Sequence, residues 1–379
     1  MKIAFFTNSY HPISYGLVIS IESFRKNLEK LGHQVYVFAP DYEGYEDKNK
    51  RVFRYPSFLF KYKIDYPISI PISSFINKKI KELDLDIIHV HQPFSLGKEG
   101  LRYARKLKIP VVFTYHAKYE DYVHYVPFFP EKILAELVKK EAINFSNKCD
   151  LTITPSLGIK KIIKKRGANK NKIEILPTGV NWKNFQKGNK SEVRKKYSIA
   201  ADEILLTNIG RINKEKNLIF LLESFKEIAL KNSKVKLMFI GEGFLKEKLK
   251  EKSKEWGIEK QVIFTGFLKN SKIKNYLKAT DIYLQTSLSE TQGLTILEAM
   301  ASGRAIVAVK ATGTEDFIVN GVNGLLAKKN KKDFVSKVNF LIKNSAKRKI
   351  FGIQAKKDAK KYQEINQVKK LEKIYLNLV

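Results

Sequence analysis

The sequence predicts an α/β protein of two domains, each built on a parallel sheet. Its 379 residues exceed what one ordinary hydrophobic core organises, so two domains of similar size are expected. Residues 2–39 read as strand, loop, helix and strand, the opening unit of a parallel sheet. From Glu203 the same alternation begins again. An apolar share of 44% is that of a globular protein.

The first domain is placed at residues 1–185. Lys2 to Asn8 has the pattern of a strand, a helix begins near Leu17 and stops at Gly32, and Gln34 to Ala39 is the second strand. Gly16 stands where the first strand's end meets that helix, a place where a substrate can approach the backbone closely. No G-x-G-x-x-G fingerprint is present. Asp41 to Lys50 is a charged loop and Arg51 to Tyr55 a short strand. The stretch Phe58 to Lys63, followed by Pro67 and Pro71, cannot form one regular helix. It reads either as a long loop packed on the core or as a surface that dips into lipid.

Asp84 and Asp86 have the spacing of a metal-binding pair but precede the strand Ile87 to Val90, at the end opposite a parallel sheet's ligand edge. No metal site is expected there. Ile109 to His116 is a buried strand whose carboxyl end delivers His116 to the ligand edge. Phe128 and Phe129 then lead into a helix from about Pro130 to Phe145, in which Lys132, Lys139 and Lys140 lie beside Ile133, Leu134, Leu137 and Val138. Such a basic amphipathic helix either lies on a membrane or packs its apolar side into the core. After a strand at Asp150 to Thr154, the helix Leu157 to Gly167 is rich in cations: Lys160, Lys161, Lys164, Lys165 and Arg166. They suit a helix C-terminus and would also suit an anionic surface. Lys172 to Leu176 is the last strand, and residues 183–196 read as a polar linker.

The second domain is placed at 186–364, with a last helix over 365–379. Glu203 to Ile209 is a strand followed by Arg211 and Lys216, well placed to neutralise a diphosphate. Val235 to Ile240 and Gln261 to Thr265 are further strands, the latter ending in Gly266 and Phe267. Asp281 to Val309 is the most informative stretch: strand Ile282 to Thr286, loop, helix Leu294 to Ala301, stop at Gly303, and strand Ala305 to Val309. The free amides of Gly293, Leu294 and Thr295 make an anion site at the sheet's mouth. Glu290 and Glu298 flank it. A carboxylate beside a phosphate site needs a ligand that also carries hydroxyls, because an acceptor-only side chain repels a bare anion. A nucleotide sugar has both parts.

The lone Cys149 forbids an intramolecular disulfide and fits the cytosol. The apolar start meets Asn8, Ser9 and His11 too soon for a signal peptide, and no later run is long enough to span a bilayer. A cytoplasmic protein, soluble or peripheral on the membrane face, is expected. The formal net charge of +33 favours an anionic partner, unless it reflects only a lysine-rich genome. Arginine supplies ten of the 71 basic residues, which argues for general attraction to an anionic surface over bidentate recognition of bases. With no RNA or DNA motif either, a basic nucleic-acid-binding protein remains the remote alternative. Composition does not speak to oligomeric state.

The segment Ser289 to Ala301 resembles the E-x7-E signature of the retaining glycosyltransferases of family 4. Thr114 to Pro127 resembles a stretch in that family's lipid glucosyltransferases, the 1,2-diacylglycerol 3-alpha-glucosyltransferases. The resemblance spans the chain. It implies the glycosyltransferase B fold, two Rossmann-like domains facing across a cleft, with the last helix crossing back to the first domain. It implies transfer of a hexose, alpha-glucose from UDP-glucose, to a lipid hydroxyl such as that of 1,2-diacylglycerol, with no cofactor and no metal. His116 matches a donor-sugar contact, Arg211 and Lys216 the diphosphate pair, and Gly266 and Phe267 the backbone that holds the base. Gly16 matches a glycine that touches the donor phosphate, although Tyr15 departs from the family's pattern there. Retention is usually attributed in the family to front-face attack, with Glu290 positioning the sugar. Tyr119, Asp121, His124, Phe128, Phe129 and Lys132 are then candidates for the acceptor or membrane side. A family 4 transferase with a soluble or polysaccharide acceptor would share every donor residue.

Overall fold

A computed structural model describes every residue except Ser14 and Lys63; at Ile64 and Asp65 it describes the backbone alone. The expectations for the loop before Gly16 and for the stretch ending at Lys63 thus fall outside the described residues at those two positions. The chain divides into two units, Met1–Gly179 with Glu364–Val379, and Val180–Gln363.

The first unit carries β1 (Lys2–Phe6), β2 (Gln34–Pro40), β3 (Val52–Tyr55), a hairpin of β4 (Ser57–Tyr62) and β5 (Ile64–Ser69), then β6 (Ile87–Val90), β7 (Val111–Thr114), β8 (Leu151–Thr154) and β9 (Ile173–Ile175). Seven of them form a parallel sheet in the order β3-β2-β1-β6-β7-β8-β9. Apolar residues line both of its faces, as a parallel sheet covered by helices requires. Ala4, Phe6, Ile88, Val90 and Phe113 pack on one side, and Ile3, Phe5, Ile87 and Val112 on the other. The last helix, Glu364–Leu376, buries Val368, Leu371 and Tyr375 in this second layer. The strand order reverses between β1 and β6. That is the switch point at which open α/β sheets hold ligands.

The stretch read either as a long loop or as a surface that dips into lipid is an antiparallel ribbon, β4 paired with β5, with Phe58 opposite Ile68 and Leu59 opposite Pro67. Proline bars a helix, as the sequence indicated, but a two-stranded edge tolerates it because its missing N–H is not required. Phe58 and Ile68 stay exposed.

In the second unit β10 (Ile204–Ile209), β11 (Val235–Ile240), β12 (Val262–Phe264), β13 (Ile282–Gln285), β14 (Ala305–Val309) and β15 (Leu325–Ala327) form a parallel sheet. Its order is β12-β11-β10-β13-β14-β15, with the reversal between β10 and β13. Residues 183–196 are not a simple linker: they hold the helices Trp182–Phe185 and Lys190–Lys196, and Phe185 and Val193 are core residues of this unit. The first unit ends at Gly179, ahead of the boundary expected at 185, because Val180 already pairs with Gln363.

Candidate functional site

The second unit gathers its polar groups where β10 and β13 end. Both strands are buried, so the chain can expose polar side chains only past their carboxyl ends. Lys216 Nζ, in the loop after β10, meets Glu290 Oε1, in the loop after β13, at 2.5 Å. Arg211 Nη2 lies 3.0 Å from Glu215 Oε1. Burial opposes ionisation of Glu290, but the charge and hydrogen bond of Lys216, a hydrogen bond from Ser287 and the charge of Arg211 hold its carboxyl below the usual range. It is a carboxylate at neutral pH. The two loops are also tied by backbone-directed bonds: Thr286 Oγ1 donates to Lys216 O, and Ser287 and Ser289 donate to Glu215 O.

The helix Leu294–Ala301 starts as expected, with Gly293 before it at φ 74°, a left-handed conformation that glycine adopts without penalty. Its first-turn amides have no acceptor within the helix. Glu298 is buried in its second turn. Tyr283 Oη donates to Thr295 Oγ1 at 2.8 Å. Burial raises the Tyr283 phenol, the hydrogen bond with Thr295 opposes that, and the charges of Glu290 and Glu298 raise it further. Gly313 closes the arrangement: a Cβ there would stand 2.8 Å from Glu290 O. Gly266 has φ 76° beside Glu242, and Phe267 is largely exposed after it. Arg211, Lys216, Glu290, Gly293, Leu294, Thr295 and Glu298 are therefore one constellation. It combines two cations, amides and carboxylates, and can hold a ligand with both phosphate and hydroxyl groups.

The first unit has its own polar cluster. His116 follows β7 and is half-buried; its Nε2 is 3.0 Å from Nδ1 of His91, which follows β6. Burial lowers the His116 imidazole to about 3. His91 is also lowered, by burial and by its histidine neighbours, so both rings are neutral. Asn8, after β1, binds the loop after β6 through Gln92 Oε1 at 2.6 Å and Phe94 O at 2.9 Å. Gly16 opens the helix Gly16–Lys30, and a Cβ there would meet nothing within 4 Å. Tyr15 Oη donates to Ser9 Oγ at 2.8 Å. His89, His91, Asn8 and Gln92 were not singled out in the sequence. The alternation in I-I-H-V-H was the available signal, since it sends His91 past the strand end.

Beyond His116, Tyr119–Tyr125 is a short 3-10 helix. Tyr119 is wedged edge-on between Phe94 and Tyr115, Asp121 pairs with Lys118 at 2.7 Å, and the His124 ring lies on Tyr125. Phe128 is fully exposed at φ 66°, and Phe129, Lys132, Ile133 and Leu137 are exposed too. The helix Glu131–Lys148 buries only Ala142, Ile143, Phe145 and Ser146. An ordinary surface helix would have buried Ile133 and Leu137. The cations in and just after the helix Leu157–Lys165 are partly used internally, Lys160 on Ile173 O and Arg166 on Glu120. Asp84 and Asp86 bind Lys2, which accounts for them as supports of β1.

The described helices include none long and apolar enough to cross a membrane. Residues 15–183 match the family described as Glycosyltransferase Family 4, and residues 189–358 the one described as Glycosyl transferases group 1. The alpha-monoglucosyldiacylglycerol synthase of Streptococcus pneumoniae is 36% identical over 316 residues, 81% of this chain and 71% of that protein. The synthase of the same name from Acholeplasma laidlawii is 31% identical over 100% of this chain and 98% of its own length. Among solved structures, Anabaena HepE in complex with UDP and glucose superposes with a TM-score of 0.80 at 17% identity over 100% of both chains. Sucrose-phosphate synthase of Thermosynechococcus elongatus does so at 0.81 and 16%, over 100% of this chain and 98% of that one. With two Rossmann-like units and relatives matched along the whole length, the chain belongs to family 4 of the glycosyltransferases, as an enzyme of the glycosyltransferase B fold.

Proposed function

We propose that this enzyme moves alpha-glucose, with retention, from UDP-glucose to the free hydroxyl of 1,2-diacylglycerol at the cytoplasmic face of the membrane. The bond from the anomeric carbon to the diphosphate breaks and a bond to the acceptor oxygen forms on the same face. The acceptor's proton passes to the departing phosphate oxygen. Arg211, Lys216 and the amides of Leu294 and Thr295 take up the charge that grows on the diphosphate, which makes a divalent ion unnecessary. Glu290 and Glu298 accept hydrogen bonds from sugar and ribose hydroxyls. His116 contacts the donor sugar.

Identity to two proteins named alpha-monoglucosyldiacylglycerol synthase supports the chemistry. The observation that carries the lipid acceptor is Phe128. A bulky side chain at positive φ costs the fold roughly 1–2 kcal/mol, and a fully exposed ring returns nothing to it. Phe129, Ile133 and Leu137 continue the apolar surface, with Lys132 and Lys140 beside it. An anionic bilayer supplies both partners they lack in water.

The test is to incubate the purified chain with labelled UDP-glucose and vesicles containing diacylglycerol and phosphatidylglycerol. A glucosyldiacylglycerol whose anomeric proton shows the alpha configuration is expected. No lipid product, together with transfer to a soluble sugar acceptor, would replace the lipid reading by the soluble-acceptor one.

A further inference from the structure

We infer that His91 is a positioning residue for His116: its Nδ1–H donates to His116 Nε2, which sets His116 in the tautomer that carries its proton on Nδ1. This inference rests on the role proposed above for His116 in holding the donor. It adds which nitrogen presents a hydrogen and which residue decides that.

His91 Nδ1 and His116 Nε2 lie 3.0 Å apart. Two neutral rings that share a hydrogen bond have one proton between them, so one nitrogen donates and the other accepts. The other nitrogen of His91 decides which. His91 is fully buried, and its Nε2 has no hydrogen-bond partner among the described residues. If His116 were the donor, His91 would have to carry its own proton on that Nε2, as a buried and unsatisfied N–H. Orphaned buried N–H groups are rarer than under-satisfied acceptors, so the proton belongs on Nδ1 and the bare lone pair on Nε2.

The ring cannot escape by turning over. On one side the His89 ring lies nearly parallel to it, with centroids 4.3 Å apart; on another, the edge of Phe5 meets it at 4.8 Å. His89 is itself pinned at both nitrogens, Nδ1 to Tyr375 Oη at 2.5 Å and Nε2 to Thr114 Oγ1 at 2.6 Å. β1, β6, β7 and the last helix thus clamp one imidazole. Neutrality of the set follows from burial, which lowers all three histidines. For the donor site the consequence is directional: the hydrogen of His116 sits on Nδ1, and the ring is an ordering group that neither gains nor loses a proton.

The decisive measurement is the nitrogen-15 spectrum of the full chain labelled at its six histidines, with His116 assigned by comparison with His116→Asn. Expected is a His116 ring with the large one-bond hydrogen coupling on Nδ1 and none on Nε2. In His91→Asn the side-chain amide can donate from the same place, so the pattern should persist. In His91→Asp, which only accepts, the proton should appear on His116 Nε2. A wild-type His116 protonated on Nε2 would overturn the inference, and so would a pattern that His91→Asp leaves unchanged. No sugar donor enters these measurements, so failed glucosyl transfer would count against the proposed function and leave this inference standing.

Discussion

Phe128→Gly should weaken membrane binding while leaving the fold as stable as before, or slightly more so. Phe128 is fully exposed at φ 66°, so it gives the core no buried area and holds a conformation that a glycine adopts freely. Relief of that conformation is worth roughly 1–2 kcal/mol, and the greater freedom of glycine in the unfolded chain offsets enough of it to leave a net gain of up to about 1 kcal/mol. In a unit of this size, that corresponds to a rise of roughly 0–3 °C in its melting temperature. In a bilayer the same ring would be desolvated, and burying a phenylalanine stabilises by about 1.5–3 kcal/mol. Taking about 2 kcal/mol, the vesicle dissociation constant should rise about thirtyfold. Because apolar insertion is not screened, the fold-change should be similar at low and high salt, whereas binding of both proteins should weaken as salt screens Lys132 and its neighbours. Sedimentation with phosphatidylglycerol-containing and neutral vesicles, beside thermal unfolding, measures both quantities. Unchanged vesicle binding would refute the reasoning, as would a fall of several degrees in melting temperature, which would show that Phe128 is a packing residue.

Arg211→Gln should lower kcat at least tenfold with little effect on donor KM, since charge on the diphosphate grows as the bond breaks; steady-state kinetics within twofold of the parent would remove that role. Glu298→Ala should mainly raise the KM for the donor, and an unchanged KM with reduced kcat would count against a ribose contact. Activity should persist in EDTA; its abolition with rescue by Mn²⁺ would reopen the question of a metal. His89, His91 and His116 titrate below the unfolded value of about 6.5, so below that pH the unfolded chain takes up protons that the folded chain refuses. Their stability contribution is complete above pH 6.5 and is lost progressively as pH falls below it, for His116 down to about 3, at up to about 1.4 kcal/mol per pH unit for each ring. Denaturant unfolding between pH 7 and 5 checks this, and His116→Asn should reduce the slope by about a third of the histidine share.

The sequence by itself determined the two parallel sheets and most of the second unit's site. Strand ends and helix starts are local: the apolar run Ile282–Gln285, the glycine before Leu294 and the spacing of Glu290 and Glu298 are all readable within one strand–loop–helix segment. It also placed His116 at a strand end, because the apolar run of Val111 to Phe113 stops just before it and a parallel sheet holds its ligands at the carboxyl ends of its strands. What only the tertiary structure decided lies between segments distant in the chain. Lys216 and Glu290 become partners because the strand order reverses between β10 and β13, and pairing order is set by packing over many residues. The ribbon at residues 57–69 is stabilised by cross-strand pairs, which leave no mark on a helical reading that proline had already excluded. Whether Ile133 and Leu137 enter the core or face water could not follow from periodicity, which gives a helix an apolar side but not the neighbour that covers it. The role of His91 is not legible in the sequence for the same reason: its contact with His116 spans two adjacent parallel strands, and register between strands is a property of the folded sheet.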